Sequence, residues 1–317
     1  MKEIFETSQK DHEDQIDLKE LYVALIKGKW AIAIISIIFS FGSILYSLNL
    51  PNIYQAQALL APQKPNSSIS ASIQNYSALA GIAGINVPSQ ISDDKPLKAI
   101  KKLNSLSFFA ENFLPNIFLP NLMAFNSWDQ NTNIISYKKN LYNASDDKWL
   151  INSSTNNKHK PSAQDAFIVF KSKYININED KKSRFVTISI KHESPYIAKK
   201  WVEIFVNEIN YLYRKKDKEK SELAVEYFYN KINETNYAET KELIASLLQQ
   251  EIQKLALIEA NKFYVYEYID HPAVMEHKSE PNRSFICIVG SILGFLISII
   301  TVLLKHFYFK YQNPTNN

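Results

Sequence analysis

Glycine is scarce in this chain, and its scarcity excludes whole classes of function. Only six of the 317 residues are glycine (Gly28, Gly42, Gly81, Gly84, Gly290 and Gly294), and none falls between Gly84 and Gly290. Loops that cradle phosphate need glycine so that backbone N–H groups can approach the anion. Neither G-x-x-x-x-G-K-[ST] nor G-x-G-x-x-G occurs, so no nucleotide-binding domain of either kind is expected. Cysteine is scarcer still: Cys287 alone, inside an apolar run near the end. No disulfide within one chain is possible, and the middle of the chain must be stable without staples. A dominant charge is missing too. Thirty-six Lys and Arg against 32 Asp and Glu give a net +4. The two signs are interspersed, so no surface sized for nucleic acid is implied.

Groupings that carry chemistry are also lacking. The six histidines (His12, His159, His192, His271, His277 and His306) include no pair at the i, i+4 spacing of a helical metal site. His271 and His277 are six apart across a proline. The acid pairs Asp93-Asp94 and Asp146-Asp147 lie in polar stretches, where solvation is the simpler role. There is no G-x-S-x-G elbow for a serine nucleophile. We expect no enzyme: no catalytic residue, no metal and no cofactor.

What the chain does have is two uncharged apolar runs. Trp30–Leu48 follows Lys27 and Lys29, and Ser284–Leu304 lies between Arg283 and Lys305. Each meets the ~20 residues that a helix needs to cross a bilayer core. A signal peptide fits the first run poorly, because its basic flank comes only after a long acidic tail and the run exceeds a normal h-region. Short basic flanks stay in the cytoplasm. Lys27 and Lys29 before the first span, with Lys305, His306 and Lys310 after the second, place both termini there and residues 50–283 outside. Trp30, Tyr46, Phe307 and Tyr308 suit the interfacial belts. Gly290 and Gly294 form G-x-x-x-G, with Ser291 and Ser298 adding small residues that allow close helix approach in lipid. The mate is either the first span or another protein; the alternative is that glycine is simply common in membrane helices.

The stretch between the spans predicts an α+β fold. "IYQAQALLAP" (53–62) alternates like a strand. A Ser/Asn/Pro loop (63–72) and a small-residue helical piece closed by Gly84 follow. "KPLKAIKKLNSLSFFAENF" (95–113) reads as one amphipathic helix with a lysine face. Residues 114–164 show weak periodicity. Their scattered aromatics offer faces for sugar rings, or more simply anchor an irregular excursion onto the core. "FIVFKSKYININED" (167–180) and "SRFVTISIKHE" (184–193) predict a β-hairpin. Ser194-Pro195 then starts a helix by N-cap and first-position proline. Its pattern continues to about 233, breaks at "NETN", and resumes to about 262. Ile244, Leu248, Ile252 and Leu255 mark one face, a candidate contact between chains. "FYVYEYIDHPAV" (263–274) reads as a strand, and Pro272, Pro281 and Arg283 lead into the second span.

Taken in order, these segments resemble the chain-length determinant (Wzz-type) polysaccharide co-polymerases. The residues that carry the likeness are "IDLKELYVALIKGKW", "YQAQALLAPQ", "LAGIAGI", "KPSAQDAF", "SPYIAKKWVEIFVNEIN" and "YIDHPAVMEHKSEPNRSFICIVGSILGFLISIITVLL". The proline spacing before the second span is looser than in relatives. The resemblance implies an inner-membrane protein with a membrane-proximal α/β base and a long helical extension, flanked by two transmembrane helices. It implies a homo-oligomer that sets the length of O-antigen or related polysaccharide, with no chemistry of its own. Its partners would be further copies of itself, the membrane, an integral-membrane polymerase and the growing glycan chain. The expected layout is a cytoplasmic tail (1–29), a first span (30–49), a periplasmic domain (50–283), a second span (284–304) and a short tail (305–317). Within the periplasmic domain the base takes ~50–113, 165–193 and 263–280, and the extension ~195–262. Two other functions stay open: an inner-membrane adaptor for polysaccharide export, and a membrane activator of a separate tyrosine kinase. The thirteen residues after Leu304 are too few for a fused kinase.

Overall fold

The computed structural model describes residues 18–63, 95–150 and 160–312. The small-residue piece closed by Gly84, most of the Ser/Asn/Pro loop, Asp93-Asp94, His12 and His159 lie outside the described residues. In chain order the elements are α1 (Leu18–Lys27), α2 (Lys29–Asn49), β1 (Tyr54–Pro62), α3 (Lys95–Leu103) and α4 (Leu106–Phe108), followed by a π turn Phe109–Phe113. Next come α5 (Leu119–Met123), the strands β2 (Phe125–Trp128), β3 (Ile135–Tyr137), β4 (Tyr142–Asn143) and β5 (Lys148–Trp149), and α6 (Ala163–Val169), which runs into a π turn Phe170–Tyr174. The chain closes with β6 (Ile175–Glu179), β7 (Val186–His192), α7 (Pro195–Glu234), α8 (Ala238–Ala260), β8 (Tyr266–Asp270) and α9 (Arg283–Gln312). Contacts divide the chain into two units, one of Met1–Asn52 with Glu280–Asn317 and one of Ile53–Ser279.

The larger unit is α+β, as the sequence predicts. A four-stranded sheet runs β6-β7-β1-β8, and each neighbouring pair is antiparallel. Alternation in β1 buries Tyr54, Ala56, Ala58 and Leu60, and β7 contributes Val186, Ile188 and Ile190. On this face lies the first part of α7. Ile197, Ala198, Trp201, Val202, Phe205, Val206 and Ile209 recur at helical spacing and are all buried. Phe108, Phe109, Phe113 and Phe170 close round Trp201 and Phe205, with ring centroids 4.7–6.2 Å apart in edge-on and tilted pairs. Burying one such ring contributes about 1.5–3 kcal/mol, which is how a chain with a single cysteine holds this base together.

Two expected elements differ. Residues 167–174 do not belong to a hairpin strand; they are the end of α6 and its π turn. Ser162 accepts from the Asp165 N–H while the Asp165 carboxylate accepts from the Ser162 N–H, a capping box that starts a helix here. Ala166 and Phe170 then fall four apart and are both buried, so the helical period overrides the apparent alternation. The helix predicted over 95–113 is also broken. Ser105 accepts from the Phe108 N–H at 3.2 Å and starts a new turn, which brings Phe108, Phe109 and Phe113 into the core. In the 114–164 region the aromatics do pack on one another and on the base: Tyr54 with Trp128, Phe118 with Tyr142, and Tyr142 with Trp149.

Beyond Asn210, α7 leaves the sheet. Its 40 residues amount to about 60 Å at 1.5 Å per residue, and past position 210 only Ser221 is fully covered. The chain turns at Thr235–Tyr237, at the end of the predicted "NETN" break, and α8 returns along α7. Lys218 Nζ meets Glu259 at 2.8 Å across the pair. Asn210 fixes the re-entry into the sheet. Its Oδ1 accepts the N–H groups of Tyr264, Val265 and Tyr266 at 3.0, 2.7 and 3.0 Å, and its Nδ2 donates to the Tyr266 carbonyl at 3.0 Å. Lys95 Nζ and the Tyr264 hydroxyl both reach Asp217, at 3.1 and 2.8 Å. Burial alone would raise the Asp217 pKa, but these two partners hold it below the usual carboxylate range.

Candidate functional site in the paired apolar helices

The smaller unit is made of helices whose side chains mostly face outward. α2 has 21 residues and α9 has 30. Both are long and apolar enough to cross a membrane. Ile37 and Phe41 on α2 are 66% and 61% exposed, and Leu304 on α9 is 66% exposed; such side chains call for an apolar surrounding. α1 continues into α2 with the hydrogen-bond ladder kept through Gly28, whose N–H donates to Ala24 and whose carbonyl accepts from Ile32.

The seam between α2 and α9 is built from small residues. A Cβ at Gly290 would lie 2.4 Å from the Ser43 Cβ, and one at Gly294 would lie 2.4 Å from the Phe39 Cβ. At the far end a Cβ on Gly28 would meet Val302 at 2.4 Å. Two serine pairs bridge the helices. Ser40 Oγ donates to Ser291 Oγ at 2.9 Å, and Ser36 and Ser298 Oγ stand 3.5 Å apart. Ser291 and Ser298 also donate to the Cys287 and Phe295 carbonyls of their own helix, at 2.8 and 2.6 Å, so the hydroxyls are satisfied without water. The small residues let the two helix backbones approach closely.

The structure thus brings Gly290, Gly294, Ser291 and Ser298 together on one face of α9, against the chain's own α2. Sequence reasoning missed the other half of the seam, Ser36, Ser40, Ser43 and Ser47. Their 4-3-4 spacing was the available signal, hidden because serine lowers the apolar score of a run without breaking it. Pro272 is buried in the larger unit after β8, whereas Pro281 and Arg283 stand at the start of α9. Arg283 Nη2 donates to Asn52 Oδ1 at 3.2 Å. On α8, Ile244 is buried and Leu248 and Leu255 are half-buried, while Ile252 is 50% exposed and off that face.

In the larger unit, one histidine has a structural place. His192 is buried: the Ser194 N–H donates to its Nδ1 at 2.9 Å, so its Nε2–H donates to the Asn121 carbonyl at 3.3 Å. Burial lowers its pKa to about 4. Among the described residues, no three His, Cys, Asp or Glu side chains gather in a way that would hold a metal.

Comparison with known proteins agrees with the resemblance read from the sequence. Residues 14–110 match the family model of Wzz, chain length determinant protein. No curated protein sequence matches the chain. Among solved structures, a full-length bacterial polysaccharide co-polymerase aligns at 15% identity over 94% of this chain and 99% of its own, with a TM-score of 0.41. A fragment of the polysaccharide co-polymerase WzzB from Salmonella Typhimurium aligns at 14% identity over 72% of this chain and 100% of its own, with a TM-score of 0.29. A point mutant of the Shigella flexneri lipopolysaccharide O-antigen chain-length regulator aligns at 14% identity over 72% of this chain and 100% of its own, with a TM-score of 0.24.

Proposed function

We propose that this chain, whose residues 14–110 match the Wzz chain length determinant model, regulates the length of a surface polysaccharide made by a separate polymerase. That family match carries the reading. The reading's finer parts are an inner-membrane protein with both termini cytoplasmic, a periplasmic domain over about 50–283, spans at 30–49 and 284–304, and assembly of several copies into a scaffold. The basic residues at the tail ends of the two apolar helices support the orientation. The polymerase meets the scaffold within the membrane, and polymer length follows from how long that complex holds the growing glycan chain. The protein contributes no covalent step; it supplies a surface and a lifetime.

The test is the length distribution of surface polysaccharide, read as a ladder on a gel. Deleting the gene should broaden or shift the ladder. Gly294→Leu drives a side chain into Phe39 and should move the modal length while the larger unit stays folded by circular dichroism. An unchanged ladder in the deletion strain would refute the reading; an unchanged ladder in Gly294→Leu alone would remove the helix seam from it.

A further inference from the structure

On one side of the α2–α9 pair lies an open apolar groove of about 640 Å³, lined by Ile38, Gly42 and Tyr46 from α2 and by Phe285, Val289 and Leu293 from α9 among others. Gly42 sits on its wall, and a Cβ there would meet nothing within 4 Å. Unlike Gly290 and Gly294, this glycine is not required by the fit between the two helices; it keeps the groove open. On α9 the lining runs from Phe285 to Ile297, about 18 Å at 1.5 Å per residue. That is about one leaflet of a ~30 Å hydrocarbon core, the depth of a single acyl chain and too short for a partner helix that crosses the whole bilayer.

The lining itself carries no charge, but one stands just beyond its end. Arg283, two residues before Phe285, is the first residue of α9, where the positive end of the helix macrodipole opposes a cation. Its Nη2 donates to the neutral Asn52 amide at 3.2 Å, not to a carboxylate. A guanidinium has five donors in a fork that fits phosphate oxygens. A cation in an unfavourable field, hydrogen-bonded to a neutral amide and standing just beyond the headgroup end of a one-leaflet groove, is complementary to a phosphate with a chain attached.

We propose that each chain holds one anionic phospholipid at this place, its phosphate on Arg283 and one acyl chain along the groove past Gly42. The proposal rests on α2 and α9 crossing the membrane. A lipid so held would seal the open side of the helix pair, leaving the seam of Gly290 and Gly294 undisturbed.

Native mass spectrometry of the full chain, purified in mild detergent and titrated with phosphatidylglycerol or phosphatidylethanolamine, tests it. One phosphatidylglycerol should be retained per chain, about tenfold more tightly than phosphatidylethanolamine, in line with a charge-assisted contact. Arg283→Gln should abolish that preference and Arg283→Lys should keep most of it. Gly42→Leu, which has room to fold, should lower retention of both lipids. Retention unchanged in Arg283→Gln or in Gly42→Leu would overturn the proposal, as would a crosslink from position 42 to another polypeptide in its place. Extraction of the full chain from membranes by alkaline carbonate tells the two failures apart: a chain that washes off refutes the spanning reading itself, whereas one that stays but binds lipid indifferently refutes only the site.

Discussion

At His192 the sheet ends in an imidazole that water does not reach. The ring stacks on Tyr174 at 5.6 Å and meets Phe125 and Trp201 edge-on at 4.6 and 5.2 Å. Its two nitrogens are engaged by the Ser194 N–H and the Asn121 carbonyl, a pattern that only the neutral ring satisfies. Burial lowers its pKa to about 4 from an unperturbed 6.5. Between those values the unfolded chain binds the proton and the folded one does not. Stability from this residue is therefore complete above pH 6.5 and lost as pH falls toward 4, up to on the order of 3 kcal/mol. Glu193 works in the opposite sense, because burial raises its pKa. The measurement is urea unfolding of the 53–279 unit at pH 7 and pH 4.5. Wild type should lose stability between them, and His192→Leu should lose at least 1 kcal/mol less. Equal losses would show that the histidine is already protonated in the fold.

At the scale of elements, the stretch 160–174 puts two readings of one sequence in competition. The run "FIVFKSKYININED" reads as a strand, while the capping box of Ser162 and Asp165 makes its first part a helix. Ser162→Ala should therefore destabilise the larger unit by about 1 kcal/mol, read as a shift in urea midpoint at constant slope; a strand would not respond. The same contest explains what was legible in the sequence. β1, β7 and the buried face of α7 were readable because burial on one side leaves a plain period of 2 or 3.6. The break in "KPLKAIKKLNSLSFFAENF" was not, because Asn104 and Ser105 fit a helix surface as well as a cap. In the smaller unit the two apolar helices and the G-x-x-x-G were legible from length and spacing. The complementary serines of α2 were not singled out, since pairing across 251 to 262 residues of sequence leaves no local trace. On α8, Ile244, Leu248 and Leu255 lie towards α7 and Ile252 stands off that stripe, because a helix packed on one neighbour buries a narrow stripe and a 4-4-3 spacing drifts off it.

For the whole molecule, the distribution of burial within the larger unit separates a base from an arm. The buried aromatic cluster and the sheet use α7 only as far as Asn210. Past that point α7 and α8 cover each other along one stripe, with exposed Leu223, Tyr227 and Leu243 off it. Interactions such as Lys218 with Glu259 are solvent-exposed and screened, so they add little to stability. The network of Lys95, Asp217 and Tyr264 marks the last place where the arm is tied to the base. Replacing residues 219–257 with a five-residue Gly/Ser linker therefore keeps every buried contact of the base, and helices lying about 8–10 Å apart can be joined by so short a loop. The shortened 53–279 unit should melt within about 4 °C of the parent, corresponding to about 1 kcal/mol for a domain of this size. A collapse of the transition would show that the arm belongs to the folding core. If the protein sets polysaccharide length as proposed, the same deletion in the full chain should shift the modal length on the gel without changing the amount of protein in the membrane. An unmoved ladder would place length control in the base or the membrane helices instead of the arm.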